Sequence, residues 1–189
     1  MKLRLATLLS GALLAACASV QPVSLPRESL SEFAIDARFA LRFKAPGEAT
    51  QSSSGRLNWQ HRLADDQILL ANPIGVGIAE IASDARGARL RTADGRVFQS
   101  NDPDALVGEI TGQALPIRRI PDWLLGRTGK HGHLEQDDQG RPLHLAEAGW
   151  KIDYEYDSPE ADATPSRLTI RRGSELELRL RIEEWKSTP

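Results

Sequence analysis

The sequence predicts a mainly β domain with some α-helix, built as a curled antiparallel sheet that two short helices cover. Three observations lead to this prediction: long stretches in which apolar and polar residues alternate, short turn signals between them, and two amphipathic helical segments in mid-chain. Alternation with a period of two places every second side chain on the same face of a strand. Each such strand therefore has one dry face and one wet face.

The first residues are typical of a bacterial lipoprotein signal peptide. Lys2 and Arg4 precede an apolar run, residues 5–16, which is too short to remain in a bilayer as a spanning helix. The run ends in Leu14-Ala15-Ala16-Cys17, which resembles a lipobox. We expect cleavage before Cys17 and a lipid on its thiol. Cys17 is the only cysteine, so an internal disulfide is excluded, and a thiol used in redox or metal chemistry is the alternative.

Removal of the signal peptide leaves 173 residues, which is the usual size of one domain. We divide the chain into a signal peptide (1–16), a lipidated N-terminus and tether (17–27), and a single domain (28–189). The tether contains Pro22 and Pro26 and is predicted to be extended. The residue after the cysteine is Ala18 rather than aspartate, which by resemblance to Gram-negative lipoproteins implies sorting to the periplasmic face of the outer membrane.

The charge composition of the mature chain argues against one class of partner. It has 22 basic and 26 acidic residues, a net charge of −4, and its basic residues are scattered along the sequence. A nucleic-acid partner is therefore not expected. Hydrophobic residues make up 40% of the full chain, which is enough to form a core.

The strands follow one another along most of the domain. The longest alternating runs are residues 35–43, 150–156 and 176–182. Shorter candidates are residues 55–61, 67–71, 76–82, 88–92, 96–99, 132–136, 142–146 and 166–171. Turn signals such as Asn72-Pro73 and Asp94-Gly95 separate many of them. About ten strands with such short connections predict an antiparallel meander.

Two helices interrupt the strands. Asp102-Pro103 opens the first, with Asp102 as N-cap and proline at the first helical position, and this helix ends near Gly112. The second is predicted over residues 118–125, with Pro121 in its first turn, where proline is tolerated.

Catalytic chemistry is not indicated by any motif. His131 and His133 form a close pair that, with His144 and an acid, would suit a metal, but a solvated turn is the preferred interpretation. Ser52-Ser53-Ser54-Gly55 is not a nucleophile elbow. The acid pairs Asp65-Asp66 and Asp137-Asp138 are interpreted as solvated turns. We expect no enzyme activity, no cofactor and no metal.

The segment Asn72-Pro73-Ile74-Gly75 places an apolar residue at the tip of a turn. Composition favours an Ile74 that folds back into the core. The alternative is an exposed apolar finger that enters a membrane or a partner. Pro73, Ile74 and Gly75 are accordingly the candidate membrane-delivery loop.

Several ordered blocks resemble the LolB family of outer-membrane lipoprotein receptors, beginning with the lipobox. They are Ser54-Gly55-Arg56-Leu57-Asn58-Trp59, Leu70-Ala71-Asn72-Pro73-Ile74-Gly75, Thr92-Ala93-Asp94-Gly95-Arg96, Leu106-Val107-Gly108, Leu115-Pro116-Ile117, Trp123-Leu124-Leu125-Gly126, Gly149-Trp150-Lys151 and Glu184-Trp185-Lys186. Together they cover most of the mature chain. The family often has leucine at the loop tip, and Ile74 keeps that apolar character.

The resemblance implies an unclosed antiparallel β-barrel with a helical lid, and a receptor that takes lipoproteins from the periplasmic carrier LolA and inserts them into the outer membrane. Acylated client lipoproteins and the inner leaflet of the outer membrane are then the other partners, and a monomer is expected. The dry sheet face and the lid would form an apolar cavity. Its candidate wall residues are Phe39, Leu41, Phe43, Trp59, Leu106, Ile110, Trp123, Leu124, Trp150, Ile152, Leu178 and Leu180.

Two other functions stay open at this point. One is an outer-membrane lipoprotein with a solid core that acts as a structural or assembly scaffold. The other, more distant, is a hydrolase of lipid or glycan. An internal apolar cavity distinguishes a receptor from a scaffold, because a scaffold has no use for one.

Overall fold

A computed structural model describes residues 27–44, 47–111 and 115–186 of the chain. A single 3-10 turn, Arg27–Ser29, precedes the first strand. The expectations for Cys17, Ala18 and the tether before residue 27 lie outside the described residues. The described strands are β1 (Glu32–Phe43), β2 (Gln51–Arg62), β3 (Asp65–Ala71), β4 (Gly77–Asp84), β5 (Gly87–Thr92), β6 (Val97–Ser100), β7 (His133–Gln136), β8 (Pro142–Glu147), β9 (Trp150–Glu155), β10 (Arg167–Arg172) and β11 (Leu176–Lys186).

All eleven strands form one antiparallel sheet in the order β6-β5-β4-β3-β2-β1-β11-β10-β9-β8-β7. Neighbouring strands are therefore consecutive in sequence except at the centre, where β1 pairs with β11. In the described part of the chain β6 and β7 are the two edges and do not pair with each other, so the barrel is unclosed. The predicted fold class and meander are confirmed.

β2 is longer than its apolar pattern predicts. The prediction begins at residue 55, whereas the strand begins at Gln51, and residues 51–54 pair with residues 40–43 of β1. This polar stretch has no dry face, so its sequence carries no period-two signal. Backbone hydrogen bonds to the outer half of β1 hold it in the sheet instead.

A β-bulge shifts the side-chain alternation of β11. Ala37 pairs with Ile182, but Asp36 pairs with Glu184, so Glu183 is the extra residue. The bulge moves Trp185 onto the face that also carries Ile182. There the Trp185 ring packs 5.4 Å from the ring of Phe33.

Two helices lie between β6 and β7. α1 spans Pro103–Thr111, and the Asp102 side chain accepts a 3.0 Å hydrogen bond from the Asp104 amide, which confirms its capping role. α2 spans only Ile120–Leu124, because residues 117–119 form a turn and Arg119 is its N-cap. The predicted start of the second helix at residue 118 was therefore two residues early.

The core lies between the inner face of the sheet and the helices. α2 is held there by Trp123, whose ring lies 5.7 Å from that of Trp150 and whose carbonyl accepts a 2.6 Å hydrogen bond from the Tyr154 hydroxyl. Strands β1, β9 and β11 alternate buried positions with more exposed ones. The sheet therefore has the single dry face that the sequence predicts.

Across residues 27–44, 47–111 and 115–186, no helix has the length and apolar character that crossing a bilayer requires.

Candidate functional site

The sheet has two ends that differ in their connections. The upper end carries residues 72–76 between β3 and β4, the connection between β1 and β2, and the turns at residues 93–96, 148–149 and 173–175. The lower end carries the 3-10 turn at Arg27–Ser29 and the start of α1. The upper end holds the predicted delivery loop.

Asn72 organises that loop, which we call the finger (residues 72–76). Its side-chain oxygen accepts hydrogen bonds from the amides of Ile74 at 3.1 Å and Val76 at 2.9 Å. Its backbone amide donates to the Val76 carbonyl at 2.8 Å, and its carbonyl accepts from the Gly75 amide at 2.9 Å. Gly75 has a φ of 93°, which a residue with a side chain rarely adopts. The finger is thus an internally bonded turn.

Ile74 is 85% exposed at the tip of the finger. The expectation that Ile74 folds back into the core is therefore wrong, and the alternative of an exposed apolar finger describes its position. Val76, two residues further on, is 58% exposed. The reason is that the Asn72 hydrogen bonds close the turn before either side chain can reach the core.

Gly55 sets the direction in which β3 enters the finger. A Cβ built at Gly55 would lie only 2.1 Å from the Ala71 carbonyl oxygen, and it would point to the inner face, as the side chains of Leu57 and Trp59 do. The carbonyl oxygen of Ala71, next to the β-bulge between Leu70 and Ala71, therefore occupies the space that a side chain at position 55 would need. A residue with a Cβ at this position would force the end of β3 to shift.

The predicted cavity residues all lie on the inner face or on the helices, apart from Ile110, whose side chain is outside the described part. In the upper half, Phe39 pairs with Leu180 and Leu41 pairs with Leu178 across β1 and β11. Phe39 and Phe43 are only partly buried. Leu106, Trp123, Leu124, Trp59, Trp150 and Ile152 are packed in the core. Leu41, Leu178 and Leu180 are buried too, so Phe39 and Phe43 are the wall residues of the described part whose burial is incomplete.

Glu147 at the end of β8 holds the second helix in place. One of its carboxylate oxygens accepts hydrogen bonds from the Arg119 guanidinium at 2.8 Å, the Trp123 indole at 3.0 Å and the Gly129 amide at 3.1 Å. Burial alone would raise the pKa of Glu147. The three hydrogen bonds and the charge of Arg119 outweigh burial and lower that pKa below its ordinary value. Glu147 is thus a charged latch between β8 and α2.

Asp66 was predicted to lie in a solvated turn, and this prediction is wrong. Asp66 is buried in β3, and one carboxylate oxygen binds the Trp59 indole at 2.7 Å and the His61 ring nitrogen at 2.8 Å. The β2–β3 turn occupies residues 63–64, two residues before the acid pair at which it was predicted. By contrast, Asp137 does cap its turn, accepting hydrogen bonds from the amides of Gln139 and Arg141.

His133 and His144 lie on the paired strands β7 and β8, where His144 faces Glu135. The His133 ring lies 3.6 Å from the Glu135 carboxylate, whereas the His144 ring lies 2.7 Å from the carboxylate of Asp153 on β9. Within the described ranges there is no group of three or more His, Cys, Asp or Glu residues arranged to hold a metal ion.

Sequence reasoning missed Gly55, Glu147 and the buried Asp66. Gly55 follows a run of serines, which suggested hydroxyl chemistry instead. The requirement for glycine at this position depends on where β3 lies, and the local sequence does not show that. No sequence pattern marked Glu147 as a functional residue, because its three hydrogen-bond donors lie outside its own strand. Asp66 did have such a pattern: it shares parity with Ile68 and Leu70, which face inward.

Residues 31–185 match the family described as "Outer membrane lipoprotein LolB". A protein named outer-membrane lipoprotein LolB from Dechloromonas aromatica is 50% identical over all of both chains. One of the same name from Azoarcus is 32% identical, over 94% of this chain and 91% of its own.

A crystal structure from Vibrio parahaemolyticus has a similar fold. It is described as a domain of an outer membrane lipoprotein-sorting protein, with a TM-score of 0.51 and 11% identity. The superposition covers 85% of this chain and 87% of that one.

Proposed function

The chain belongs to the LolB family of outer-membrane lipoproteins, and from this premise we propose that it is the receptor that accepts lipoproteins from a periplasmic carrier of the LolA type and inserts them into the outer membrane. The observation that carries the proposal is the single apolar face of an unclosed sheet, which helices cover and whose upper half holds the partly buried Phe39 and Phe43. No covalent chemistry is part of this function.

The apolar face answers the physical problem of moving a lipoprotein through water. Each exposed acyl CH₂ group costs about 0.8 kcal/mol, so three acyl chains together cost tens of kcal/mol. A receptor must replace water around these chains with apolar side chains. Phe39 and Phe43 on β1, which are only partly buried, offer such a surface beside the buried Leu41 and Leu178.

The helical cover offers a way to admit a client. α1 contacts β5 and β6, whereas α2 is tied to β8 and β9 through Glu147 and Tyr154. The two helices therefore belong to opposite flanks of the open sheet. We propose that acyl chains enter between them, against the inner faces of β1 and β11.

Two features would bring the protein to the membrane for client release, namely a lipid anchor and the finger. A lipid on Cys17 would hold the protein at the periplasmic side of the outer membrane, as the names of its relatives suggest. The exposed side chain of Ile74 would enter the inner leaflet. Acyl chains would then leave the apolar face close to the bilayer and pass through little water.

The direct test is acceptance of a client in the absence of membrane. The mature chain carrying Cys17→Ala is mixed with a carrier loaded with a triacylated lipoprotein, and each protein is then purified separately through its own tag. We expect the lipoprotein to move to this chain and to stay bound to it. An unacylated version of the same client is the control and is expected not to move.

Two results would contradict the proposal. Equal binding of the acylated and unacylated clients would indicate a protein-surface contact, as expected of a scaffold. A folded chain that leaves the client on its carrier would remove the receptor function altogether.

A further inference from the structure

The outer face of the sheet carries a concentration of positive charge in its upper half. Three successive cross-strand rows run over β2, β1, β11, β10 and β9, and their side chains point away from the core. The rows are Arg56-Arg38-Arg181-Arg167-Glu155, Ser54-Ala40-Arg179-Thr169-Asp153 and Ser52-Arg42-Glu177-Arg171-Lys151. These fifteen positions, which we call the basic field, hold eight cations and three acids.

This concentration is unusual for the molecule that carries it. The mature chain has a net charge of −4, so the basic field opposes the overall balance. The first row places four arginines directly opposite one another on adjacent strands. Like charges in directly opposed positions destabilise a sheet. Folding alone therefore does not explain the row.

Local acids neutralise only part of the field. Arg38 pairs with Glu183, Arg179 with Glu177, Arg167 with Glu155, and Arg171 with Asp153. Within the described part of the chain, no ion pair involves the four remaining cations, which are Arg42, Arg56, Arg181 and Lys151. These four side chains are exposed, and Arg56 shares a groove with the acids Asp36, Glu183 and Glu184.

The field begins at the base of the finger. Arg56 is paired with Ala71, and the next residue of that strand, Asn72, opens the finger. Exposed aliphatic side chains continue from the finger over the same outer face, namely Leu69 on β3 and Ile78 on β4. Apolar groups beside cations form the combination by which proteins bind at a bilayer surface.

We propose that the basic field binds the anionic phospholipid headgroups of the membrane into which the finger inserts. The field is a broad sheet surface, and its fifteen positions include no aromatic residue. Aromatic anchors are enriched at the centres of protein interfaces, so these positions fit a charged bilayer better than an acidic protein. The inference rests on the proposed function only in taking the finger as the membrane contact.

The test is binding of the mature chain with Cys17→Ala to vesicles, measured by flotation. One vesicle is pure phosphatidylcholine, and the other also contains phosphatidylglycerol. We expect stronger binding to the anionic vesicle and loss of that preference at high salt. The double variant Arg56→Gln, Arg181→Gln should weaken binding to the anionic vesicle by about tenfold and leave the neutral vesicle unchanged.

A matched control removes the same charge elsewhere. Arg62 and Arg89 are also exposed and lie outside the field, on β2 near the lower end and on β5. Arg62→Gln with Arg89→Gln should keep anionic binding within about twofold of the parent chain. Thermal melting of both double variants checks that each is folded, and loss of the opposed arginines should not lower the melting temperature.

Three results would overturn the inference. Equal weakening by both double variants would mean that only net charge matters. Binding that ignores salt and phosphatidylglycerol would leave the field without this role. Unchanged vesicle binding together with poorer uptake of client from a loaded carrier would assign the field to an acidic protein partner. Client uptake without vesicles tests the proposed function independently, so the two failures are distinguishable.

Discussion

At the scale of single residues, Ile74 is the side chain on which client delivery should depend. An exposed isoleucine gains about 1.5–3 kcal/mol on burial in an apolar phase, which favours shallow insertion but not permanent anchoring. Ile74→Glu should slow transfer of a bound acylated client to liposomes sharply, with folding and client binding nearly unchanged, because the side chain lies outside the core. The measurement is flotation of the labelled client after liposomes are added.

Ile74→Leu is the matched control and should deliver at close to the parental rate. Delivery by Ile74→Glu as fast as the parent would reduce the finger to an ordinary turn. Loss of client binding in that variant would instead assign Ile74 to the acyl-chain pocket.

Among the acids in the described part of the chain, Asp66 is the one whose side chain is buried. Its carboxylate accepts from Trp59 and His61, and the ring of Phe33 packs 5.2 Å from that of His61. Asp66→Asn should lower the free energy of unfolding by about 1–3 kcal/mol, because the Trp59 and His61 donors then bond a neutral amide oxygen instead of a carboxylate and the new side-chain amide nitrogen is left without an acceptor. Urea unfolding followed by circular dichroism measures this change.

The adjacent Asp65 gives the control, since it is exposed. Asp65→Asn should change the free energy of unfolding by no more than about 0.5 kcal/mol. Similar values for the two variants would show that the buried network contributes little.

At the scale of elements, the attachment of α2 to the sheet depends on a charged Glu147. Its pKa lies below the ordinary value of 4.5, so its stabilising effect is complete above pH 4.5 and is lost as the pH falls through the lowered pKa. Glu147→Gln should therefore lower the melting temperature at neutral pH. The difference from the parent chain should shrink at acid pH.

Melting followed between neutral pH and pH 3 checks both parts of this prediction. Glu109→Gln, which removes an exposed carboxylate from α1, is the control and should leave the melting curve nearly unchanged at every pH. A melting difference for Glu147→Gln that is constant across this pH range would show that the latch does not depend on charge.

At the scale of the whole molecule, the membrane anchor and the client-binding domain should be separable. The described domain has its own continuous core, and the carbonyl of Leu30, the residue after its 3-10 turn, accepts a 2.6 Å hydrogen bond from Arg127 in the loop after α2. With a substitute cleavable signal, Cys17→Ala should yield a protein that is soluble in the periplasm and still accepts client lipoproteins. Detergent fractionation and the carrier assay measure the two properties.

Recovery of that variant in the outer membrane would reveal another anchor. A well-folded soluble form that binds no client would mean that the domain is not self-sufficient. Export through the native signal with Cys17 intact provides the membrane-bound reference.

The parts of the fold that the sequence predicted are those that short-range residue patterns determine. Strands with one dry face, such as β9 and β11, were visible because alternation reports burial directly. The Asp102 cap and the proline at the start of α1 were predictable because each acts on residues only a few positions away. The first four residues of β2, which are polar, were missed because only the partner strand holds them in place.

The sequence by itself determined the lipoprotein signature, the β-rich class, the two helices and the resemblance to the LolB family. The tertiary structure alone decided that Ile74 is exposed, that Asp66 is buried, and that arginines from four strands form one row. The physical reason is distance along the chain. Alternation, caps and turns depend on near neighbours, whereas the burial of Asp66 and the arginine row depend on strand register, which joins residues as far apart as Arg38 and Arg181.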